Sequence, residues 1–233
     1  MAIYQTKQSA NNFWTNLLYH NSSSSGTFAI LAAEGDSAWR ADVQNKLLGQ
    51  GIVANDIDAG VSTPTLAQLQ SYSSILVYSD SGFLNSTTLG NNVAAYVDGG
   101  GGVVLATFEE SIELQGNWLS GGYEVLSGGG QSAGLQTLGT VVYPAHPVMT
   151  GVSSFNGGIS SYFNTGTLTL NTTVIANWSG GSPLVVEKTG KNGKIILLNF
   201  FPPSEDARND LWLTTTDGAL LMSNALKYVA GLI

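Results

Sequence analysis

The chain has 233 residues, of which 43% are hydrophobic, and this is enough for one large α/β domain with a substantial core. Its formal net charge of −8 gives a surface that repels nucleic acid and anionic membranes, so we expect neither as a partner. It contains no cysteine, which excludes disulfides, thiolate nucleophiles and cysteine metal sites, and no apolar run reaches the roughly 18 residues that a membrane span needs.

The sequence predicts an N-terminal arm at residues 1–26, followed by a single domain at residues 27–233. The arm ends in the flexible link "NSSSSG". Its apolar cluster consists of Phe13, Trp14, Leu17, Leu18 and Tyr19. Two interpretations remain open for this segment. Either it packs as a short helix on its own domain, or it makes the chain a homo-oligomer by docking on a neighbouring subunit.

The first half of the domain predicts strands that alternate with helices. Continuous apolar strands are predicted at residues 27–33, 52–58, 74–80 and 103–108. The helix after the first strand has Asp36 or Ser37 as its N-cap, and a short helix begins at Thr63 and Pro64. A further capped helix stops at the four glycines of residues 99–102. This alternation implies a parallel sheet covered on both faces.

In the second half of the domain, the sequence does not predict a regular alternation of strands and helices. Residues 111–140 are interpreted as a glycine-rich loop, and a strand with a turn follows it. Further strands are predicted at residues 172–178, 182–188 and 193–200, and a final helix at residues 214–231. Asn192 and Gly193 join the last two strands and are a hairpin signal. The chain is therefore predicted to be a single-domain, flavodoxin-like α/β sandwich with a mostly parallel central sheet flanked by helices.

Three stretches of the domain carry a family resemblance. They are "YSSILVYSDSGFLNSTTLGNNVAAYVDGGGGVVLATFEE", "AHPVMTGVSSF" and "GKIILLNFFPPSED". In this order they resemble the nucleophile strand region, the HP-(I/V)-M-x-G-V segment and the triad strand of the class I glutamine amidotransferase-like superfamily. The divergent branch with trehalose-utilisation-type domains is the most similar. The resemblance covers residues 27–232 and implies an amidotransferase-like sandwich.

The same resemblance implies where a catalytic triad would lie. Catalytic members of the family use a Cys at a sharp turn after a central strand, and a His two residues ahead of a Glu. The resemblance places Phe108 at the Cys, Phe201 at the His and Pro203 at the Glu. A nucleophile needs a base to take its proton, and phenylalanine and proline cannot do this. Neighbouring Thr107 has no histidine beside it, so amidotransfer is excluded on chemistry.

Half of the sixteen acidic residues fall at predicted strand ends, where ligand sites of open α/β sheets lie. They are Glu34, Asp36, Asp58, Asp80, Glu109, Glu110, Glu205 and Asp206. All of them except Asp58 form the predicted ligand-binding rim. Arg40 and Arg208 are expected to neutralise part of the cluster of eight acids. Three interpretations remain open: solvated loop charges, a rim that binds sugar hydroxyls or a hard cation, and an acid/base pair for glycoside cleavage.

If a cation binds, it is predicted to be calcium, held by Asp36, Asp80 and Glu109. Zinc is not expected, because the chain has only two histidines, His20 and His146. His146 precedes Pro147, and we interpret its imidazole as the cap of a turn. No other cofactor is expected.

Five aromatic residues lie in the irregular second half and are interpreted as core filling, with sugar stacking or a protein interface as the alternative. They are Trp118, Tyr123, Tyr162, Phe163 and Trp178.

The sequence thus predicts a non-catalytic domain that acts as a structural, self-assembling or ligand-binding module, with a glycan or a protein as its ligand. The alternative is a carboxylate-dependent hydrolase that acts on a carbohydrate. Only 10% of the residues are charged, against about 25% in typical proteins, and Ser, Thr, Asn and Gly take their place. This composition predicts an extracellular or cell-surface location. Residues 1–14 lack the apolar segment of a secretory signal, so a removed leader and an intracellular protein both remain open.

Overall fold

The computed structural model describes residues 26–110 and 113–233. The apolar cluster of the predicted arm falls within residues 1–25, so that prediction lies outside the described residues. No helix within the described ranges has both the length and the apolar character needed to cross a membrane.

Strands of the described residues form one large sheet and two small ones. The twelve strands in these residues are β1 (Phe28–Ala33), β2 (Ala54–Asp58), β3 (Ser74–Ser79), β4 (Gly102–Ala106), β5 (Leu126–Ser127), β6 (Gln131–Ser132), β7 (Leu138–Val141), β8 (Phe163–Asn164), β9 (Thr167–Leu168), β10 (Thr172–Trp178), β11 (Pro183–Lys188) and β12 (Ile195–Leu198). The central sheet has the order β2-β1-β3-β4-β12-β11-β10-β7. Its first five strands run parallel, and the other three pair antiparallel.

Helices cover both faces of this sheet. Within the described ranges they are α1 (Ser37–Gly49), α2 (Leu66–Leu69), α3 (Ser86–Asp98), α4 (Asn117–Ser120) and α5 (Gly218–Val229), with a 3-10 helix at Pro147–Met149. Helices α1 and α5 pack on one face, and α2, α3 and α4 pack on the other. The predicted fold class, a single α/β domain with a mostly parallel central sheet between helices, is confirmed.

Strand β1 shows why a continuous apolar run forms this architecture. Alternate side chains of a strand point to opposite faces of a sheet. Phe28 and Ile30 therefore pack under α1 and α5, whereas Ala29 and Leu31 pack under the opposite layer. Because both faces are covered, every position of β1 is buried. The hydrophobic burial on the two faces stabilises the sheet from both sides.

The starts of α1 and α3 follow the predicted caps, whereas α2 was predicted to begin at Thr63 and Pro64 and begins at Leu66, because the Thr65 side chain caps it. The Asp36 carboxylate accepts a hydrogen bond from the Ala38 amide at 2.8 Å and begins α1. The Asn85 side chain accepts from the Thr88 amide at 2.9 Å and begins α3. Each cap satisfies one of the amides that a helix start leaves without an intrahelical partner.

Glycines 99–102 stop α3, as predicted, and also allow close packing. Gly99 is the C-cap, and Gly100 has φ +93°, a conformation that favours glycine. A Cβ at Gly102 would lie 2.4 Å from the Val229 carbonyl oxygen. Only glycine therefore lets the start of β4 approach the end of α5.

Two strands end earlier than predicted. β4 stops at Ala106 instead of residue 108, because the chain turns there and the Glu109 amide donates to the Ala106 carbonyl at 3.0 Å. β12 stops at Leu198 instead of residue 200, because the Phe200 amide turns back to the Leu198 carbonyl at 2.8 Å. Both turns aim the following side chains across the edge of the sheet.

Residues 111–140 were predicted as loop, and that prediction is wrong in part. The described residues of this stretch contain α4, β5, β6 and the start of β7. β5 pairs with β9 and β6 pairs with β8, in two small antiparallel sheets. Such pairing joins segments about 30 to 40 residues apart, so no local pattern in a glycine-rich sequence announces it.

Candidate functional site

The carboxyl edge of the parallel strands is the natural place for a site in this fold. The chain leaves β1 for β2 on one side and later reaches β3 on the other, so the topological switch point lies between β1 and β3. The loops after these two strands are tied together. The amides of Asp80 and Ser81 both donate to the Ala33 carbonyl, at 3.0 and 2.9 Å.

The middle of this edge, between β4 and β12, is packed with aromatic rings. The two strands pair in parallel, with Ala106 opposite Leu198. Phe108 follows β4 and Phe201 follows β12, and their ring centroids are 5.3 Å apart. They are 5% and 4% exposed. The positions at which the family resemblance expects a nucleophile and its base thus hold a buried aromatic pair.

Three further rings complete this packing. Tyr162 lies 5.3 Å from Phe108, and Trp39 and Tyr78 each lie 6.0 Å from Phe201, all in edge-on geometry. We call these five side chains the aromatic plug. The void beside the plug measures about 10 Å³, which holds at most one water. The void beside the plug is therefore too small for a substrate.

The segment after β12 is fixed from outside the sheet. Pro203, at the position that the resemblance assigns to the Glu, is buried. The Ser204 amide donates to the Asp42 carboxylate at 2.7 Å, and the Trp212 indole N–H donates to the Pro202 carbonyl at 2.8 Å. The first bond ties the chain to α1, and the second ties it to the segment that carries Trp212.

Thr107, the hydroxyl beside the expected nucleophile position, is engaged with an amide. Its Oγ1 lies 3.2 Å from Oδ1 of Asn199, and both residues are fully buried. The Asn199 side chain also binds the backbone of Asn164, accepting at 2.7 Å and donating at 3.0 Å. A carboxamide is not a base that takes a hydroxyl proton, so this contact is structural.

The predicted rim acids separate into three groups, and the first lies at the switch point. Glu34 is 4% exposed, and its Oε1 accepts from the Asp36 amide at 2.9 Å. Its Oε2 is buried without a hydrogen-bond partner among the described residues. Burial raises the pKa of Glu34, and the charges of Asp80 and Asp36 raise it further. The structure thus brings together three of the predicted rim residues.

The second group, Glu109 and Glu110, is buried behind β4. Oε1 of Glu109 accepts from the Leu114 amide at 3.1 Å, and Oε1 of Glu110 accepts from the Val125 amide at 3.0 Å. Burial raises the pKa of both carboxyls, that of Glu110 to about 8. The two residues were predicted on an open rim, but they are 1% and 5% exposed, because amides of the following segment hold them inside.

The third group, Glu205 and Asp206, lies after β12. Oε1 of Glu205 accepts from the Thr214 amide at 2.8 Å and from its hydroxyl at 2.9 Å. Asp206 is exposed and forms an ion pair with Lys46 of α1. These partners fasten the loop after β12 to its surroundings.

The three predicted calcium ligands do not form one group. Asp36 and Asp80 act on Glu34, whereas Glu109 lies with Glu110. Within residues 26–110 and 113–233, no three His, Asp or Glu side chains are arranged to hold a metal ion. Calcium binding stays an untested prediction.

The two arginines have different partners. Arg40 pairs with Asp56 and Asp58, each at 3.1 Å, so it neutralises Asp58 as predicted. Arg208 pairs with Asp210 at 2.5 Å, and its guanidinium carbon lies 5.4 Å from the centroid of the Trp39 ring. It therefore covers the plug instead of neutralising the rim.

Asn199 and Tyr78 are residues of this edge that the sequence analysis missed. Asn199 interrupts the buried apolar run "IILLNFF", and a polar residue in such a run is a signal that it has fixed partners. Tyr78 lies inside a continuous apolar strand and gave no such signal. Its hydroxyl is buried without a hydrogen-bond partner among the described residues.

Other predicted residues behave as interpreted. His146 caps the 3-10 helix, with its Nδ1 accepting from the Val148 amide at 3.3 Å. Four of the five aromatics of the second half are buried core residues: Trp118, Tyr123, Phe163 and Trp178. The fifth, Tyr162, is half-buried in the plug.

The comparisons with known proteins agree on the fold. A ThuA-like protein from Bacteroides uniformis aligns with a TM-score of 0.58 over 87% of this chain and 91% of its own, at 18% identity. A GMP synthase component from Thermoplasma acidophilum aligns with a TM-score of 0.56 over 88% and 94%, at 12% identity. A GH42 β-galactosidase aligns with a TM-score of 0.51 over 79% of this chain but only 28% of its own, at 12% identity.

These likenesses show that the chain has an amidotransferase-like α/β fold. At such identities they show the fold alone. The sequence matches no protein family model and no curated protein.

Proposed function

We propose that the chain is a non-catalytic amidotransferase-like domain that works as a structural, self-assembling or ligand-binding module. One observation carries the proposal: the buried contact of Phe108 with Phe201, 5.3 Å between ring centroids, at the strand ends where the fold would place its reaction centre. Acyl transfer needs a nucleophile, a base and room for the substrate. The plug supplies none of these.

The neighbourhood of the plug supports the same proposal. The hydroxyl of Thr107 contacts the Asn199 amide, and Pro203 stands at the position that the resemblance assigns to the third triad residue. The low charge of the chain favours subunit packing, since few charged groups must lose water in a contact. An extracellular or cell-surface setting, which the composition favours, belongs to this proposal.

The mass of the chain in solution tests self-assembly. We compare the full chain with a variant lacking residues 1–26 by light scattering coupled to size exclusion. We expect an oligomer for the full chain and a monomer for the truncated variant, because the arm carries the apolar cluster proposed to dock on a neighbour. A variant lacking only residues 2–8 is the matched control, since it keeps that cluster. An oligomer that survives the larger truncation would contradict assembly through the arm.

A second candidate function rests on Glu34. Its pKa is raised by burial, and Asp36 and Asp80 lie within electrostatic reach at the switch point. A carboxyl whose pKa is raised, with a second carboxyl near it, is the pairing that glycoside hydrolysis uses. In this alternative the chain is a carboxylate-dependent hydrolase of a carbohydrate, with Glu34 as its general acid.

Release of reducing sugar from a panel of unactivated oligosaccharides, whose alkoxide leaving groups need a proton from a general acid, separates the two functions. The alternative expects turnover that Glu34→Gln abolishes and Asp206→Asn leaves unchanged, since Asp206 belongs to the group after β12. Turnover that Glu34→Gln leaves intact would point to contamination and would remove the alternative. No turnover by the wild-type chain supports the non-catalytic proposal.

A further inference from the structure

A groove of about 610 Å³ lies along β2, the first strand of the central sheet in the part of the chain that the structure describes. We call it the β2-edge groove. It is lined by Gln44, Asn55, Asp56, Ile57, Ser62, Thr63, Pro64, Gln68 and Tyr72. Its volume falls within the range of small-molecule sites, and its lining is mostly amide and hydroxyl side chains. The groove lies apart from the aromatic plug and from the rim acids after β3, β4 and β12.

Two amide side chains of the groove are held at one end and free at the other. Nε2 of Gln44 donates to the Ala54 carbonyl at 2.7 Å, and Nδ2 of Asn55 donates to the Tyr72 hydroxyl at 3.1 Å. Among the described residues, Gln44 Oε1 and Asn55 Oδ1 have no hydrogen-bond partner. Each side chain is thus oriented by the protein while one acceptor stays available.

Two further side chains follow the same rule. Oε1 of Gln68 accepts from the Thr65 amide at 2.9 Å in a capping box, which leaves Nε2 without a partner in the described part of the chain. Oδ2 of Asp56 accepts from Nε of Arg40 at 3.1 Å, and Oδ1 has no hydrogen-bond partner among the described residues. Four side chains therefore present three acceptors and one donor whose positions are set before any ligand arrives.

The free atoms indicate the chemistry of the ligand. Three acceptors and one donor suit a molecule with several hydroxyl groups, because each hydroxyl can both donate and accept. Asp56 is the one charged side chain among the lining residues named above, and it shares Arg40 with Asp58, so an anionic ligand is disfavoured. The half-buried Tyr72 adds an aromatic ring of the kind that packs against the apolar face of a sugar. Preorganised polar groups also lower the entropy cost of binding.

The same contacts disfavour a peptide that would extend the sheet. Such a peptide needs the free backbone groups of the edge strand. At Ala54 the carbonyl of β2 is already occupied by the Gln44 side chain, at 2.7 Å. The edge is therefore partly closed to another strand.

We propose that the β2-edge groove binds a neutral carbohydrate through Gln44, Asn55, Asp56 and Gln68. The proposal rests on the proposed function only in that the chain binds its ligand without converting it. A groove open at the edge of the sheet accommodates a section of a chain as well as a single sugar.

Isothermal titration calorimetry with linear hexasaccharides of glucose, mannose and galactose tests the proposal. We expect at least one of them to bind. Gln44→Ala and Asn55→Ala should each weaken that binding about two- to tenfold, the range of one lost hydrogen bond. Gln131→Ala, which changes an exposed glutamine of β6, is the matched control and should leave the affinity unchanged. Thermal unfolding of each variant shows that it is folded.

Each outcome decides the proposal. Absence of binding to all three hexasaccharides at millimolar concentration overturns it, and so does binding that Gln131→Ala weakens as much as Gln44→Ala. Preferential binding of an oligogalacturonate or of a basic peptide also overturns it. Chromatography of the hexasaccharide after incubation keeps the two proposals distinguishable. Binding followed by cleavage contradicts the non-catalytic function, whereas no binding contradicts the groove alone.

Discussion

The middle and the flank of the carboxyl edge carry the same sequence signal, acids after a buried strand, but fold differently. In the closed centre, which comprises the aromatic plug with Glu109 and Glu110, the acids are 1% and 5% exposed. At the open flank, after β1 and β3, Asp36 and Asp80 are exposed to solvent. The position of an acid after a strand therefore places it near a possible site but does not determine whether its side chain is exposed to solvent.

The segment that follows each strand makes this difference. After β4, the chain returns over Glu109 and Glu110 and brings the amides of Leu114 and Val125 to their carboxyls. After β1, the chain enters α1 almost at once, and the Asp36 side chain is used as the helix cap. Glu109 and Glu110 are thus held inside by amides of the segment that returns over them, whereas the Asp36 carboxylate stays at the surface as a helix cap.

The largest expected effect comes from opening the closed centre. Phe201→Ala removes a ring that is 4% exposed and contacts Phe108, Tyr78 and Trp39. We expect the free energy of unfolding in urea to fall by about 3–5 kcal/mol, the usual cost of such a truncation in a core. Leu170→Ala, at a side chain that is 83% exposed, is the control and should change it by less than about 0.5 kcal/mol. A loss below about 1 kcal/mol for Phe201→Ala would contradict the tight packing of the closed centre.

The second prediction uses the buried acid of the same centre. The pKa of Glu110 is about 8 in the folded chain, against an ordinary value of 4.5, because burial disfavours the charged carboxylate. Between these values the folded state holds a proton that the unfolded state has released. The resulting stabilisation is fully present below about pH 4.5 and is lost as pH rises through about 8.

Glu110→Gln removes this titration while keeping the acceptor for Val125. We expect the difference in unfolding free energy between variant and wild type to move in favour of the variant by up to roughly 1 kcal/mol per pH unit from pH 5 to 8. Urea unfolding across this range measures it. Near pH 5 the two folded proteins carry the same charge at this position, and their difference in stability there is the reference for the other pH values. Parallel curves would show that Glu110 does not titrate in this window.

The third prediction concerns the open flank. Asp36→Ala removes the side-chain cap of α1, so the unfolding free energy should fall by about 1 kcal/mol, and Asp36→Ser should restore most of it. Thermal or urea unfolding serves as the measurement. If the serine variant is as unstable as the alanine variant, the side chain does more than cap the helix.

The smallest effect on stability is expected at Asp80, which is exposed. Asp80→Asn should change the unfolding free energy by less than about 0.5 kcal/mol. It removes a like charge near Glu34, so the pKa of Glu34 should fall. Carbon NMR titration of the Glu34 carboxyl measures the shift. An unchanged titration would mean that the flank acids do not act on one another.

Much of the fold was predictable, because its signals are local. The continuous apolar run of β1, the cap at Asp36 and the stop at Gly99 each need only a few neighbouring residues, and all were predicted. Of the candidate site, Phe108 and Phe201 were expected to replace the chemistry of a triad, and they lie in contact. The burial of Glu109 and Glu110 was not predicted, because the amides that hold them come from a glycine-rich segment without a periodic pattern.

The sequence by itself determined the α/β class, the order of strands and helices along the chain, and the absence of cysteine chemistry. These features depend on residue type and on periodicity along the chain. Only the tertiary structure decided which acids face water and which side chains share the β2-edge groove. Gln44 and Gln68 lie on different helices and meet at one groove only after β2 is placed at the edge of the sheet. Contacts between distant segments depend on the packing of the whole chain, and no local sequence pattern indicates them.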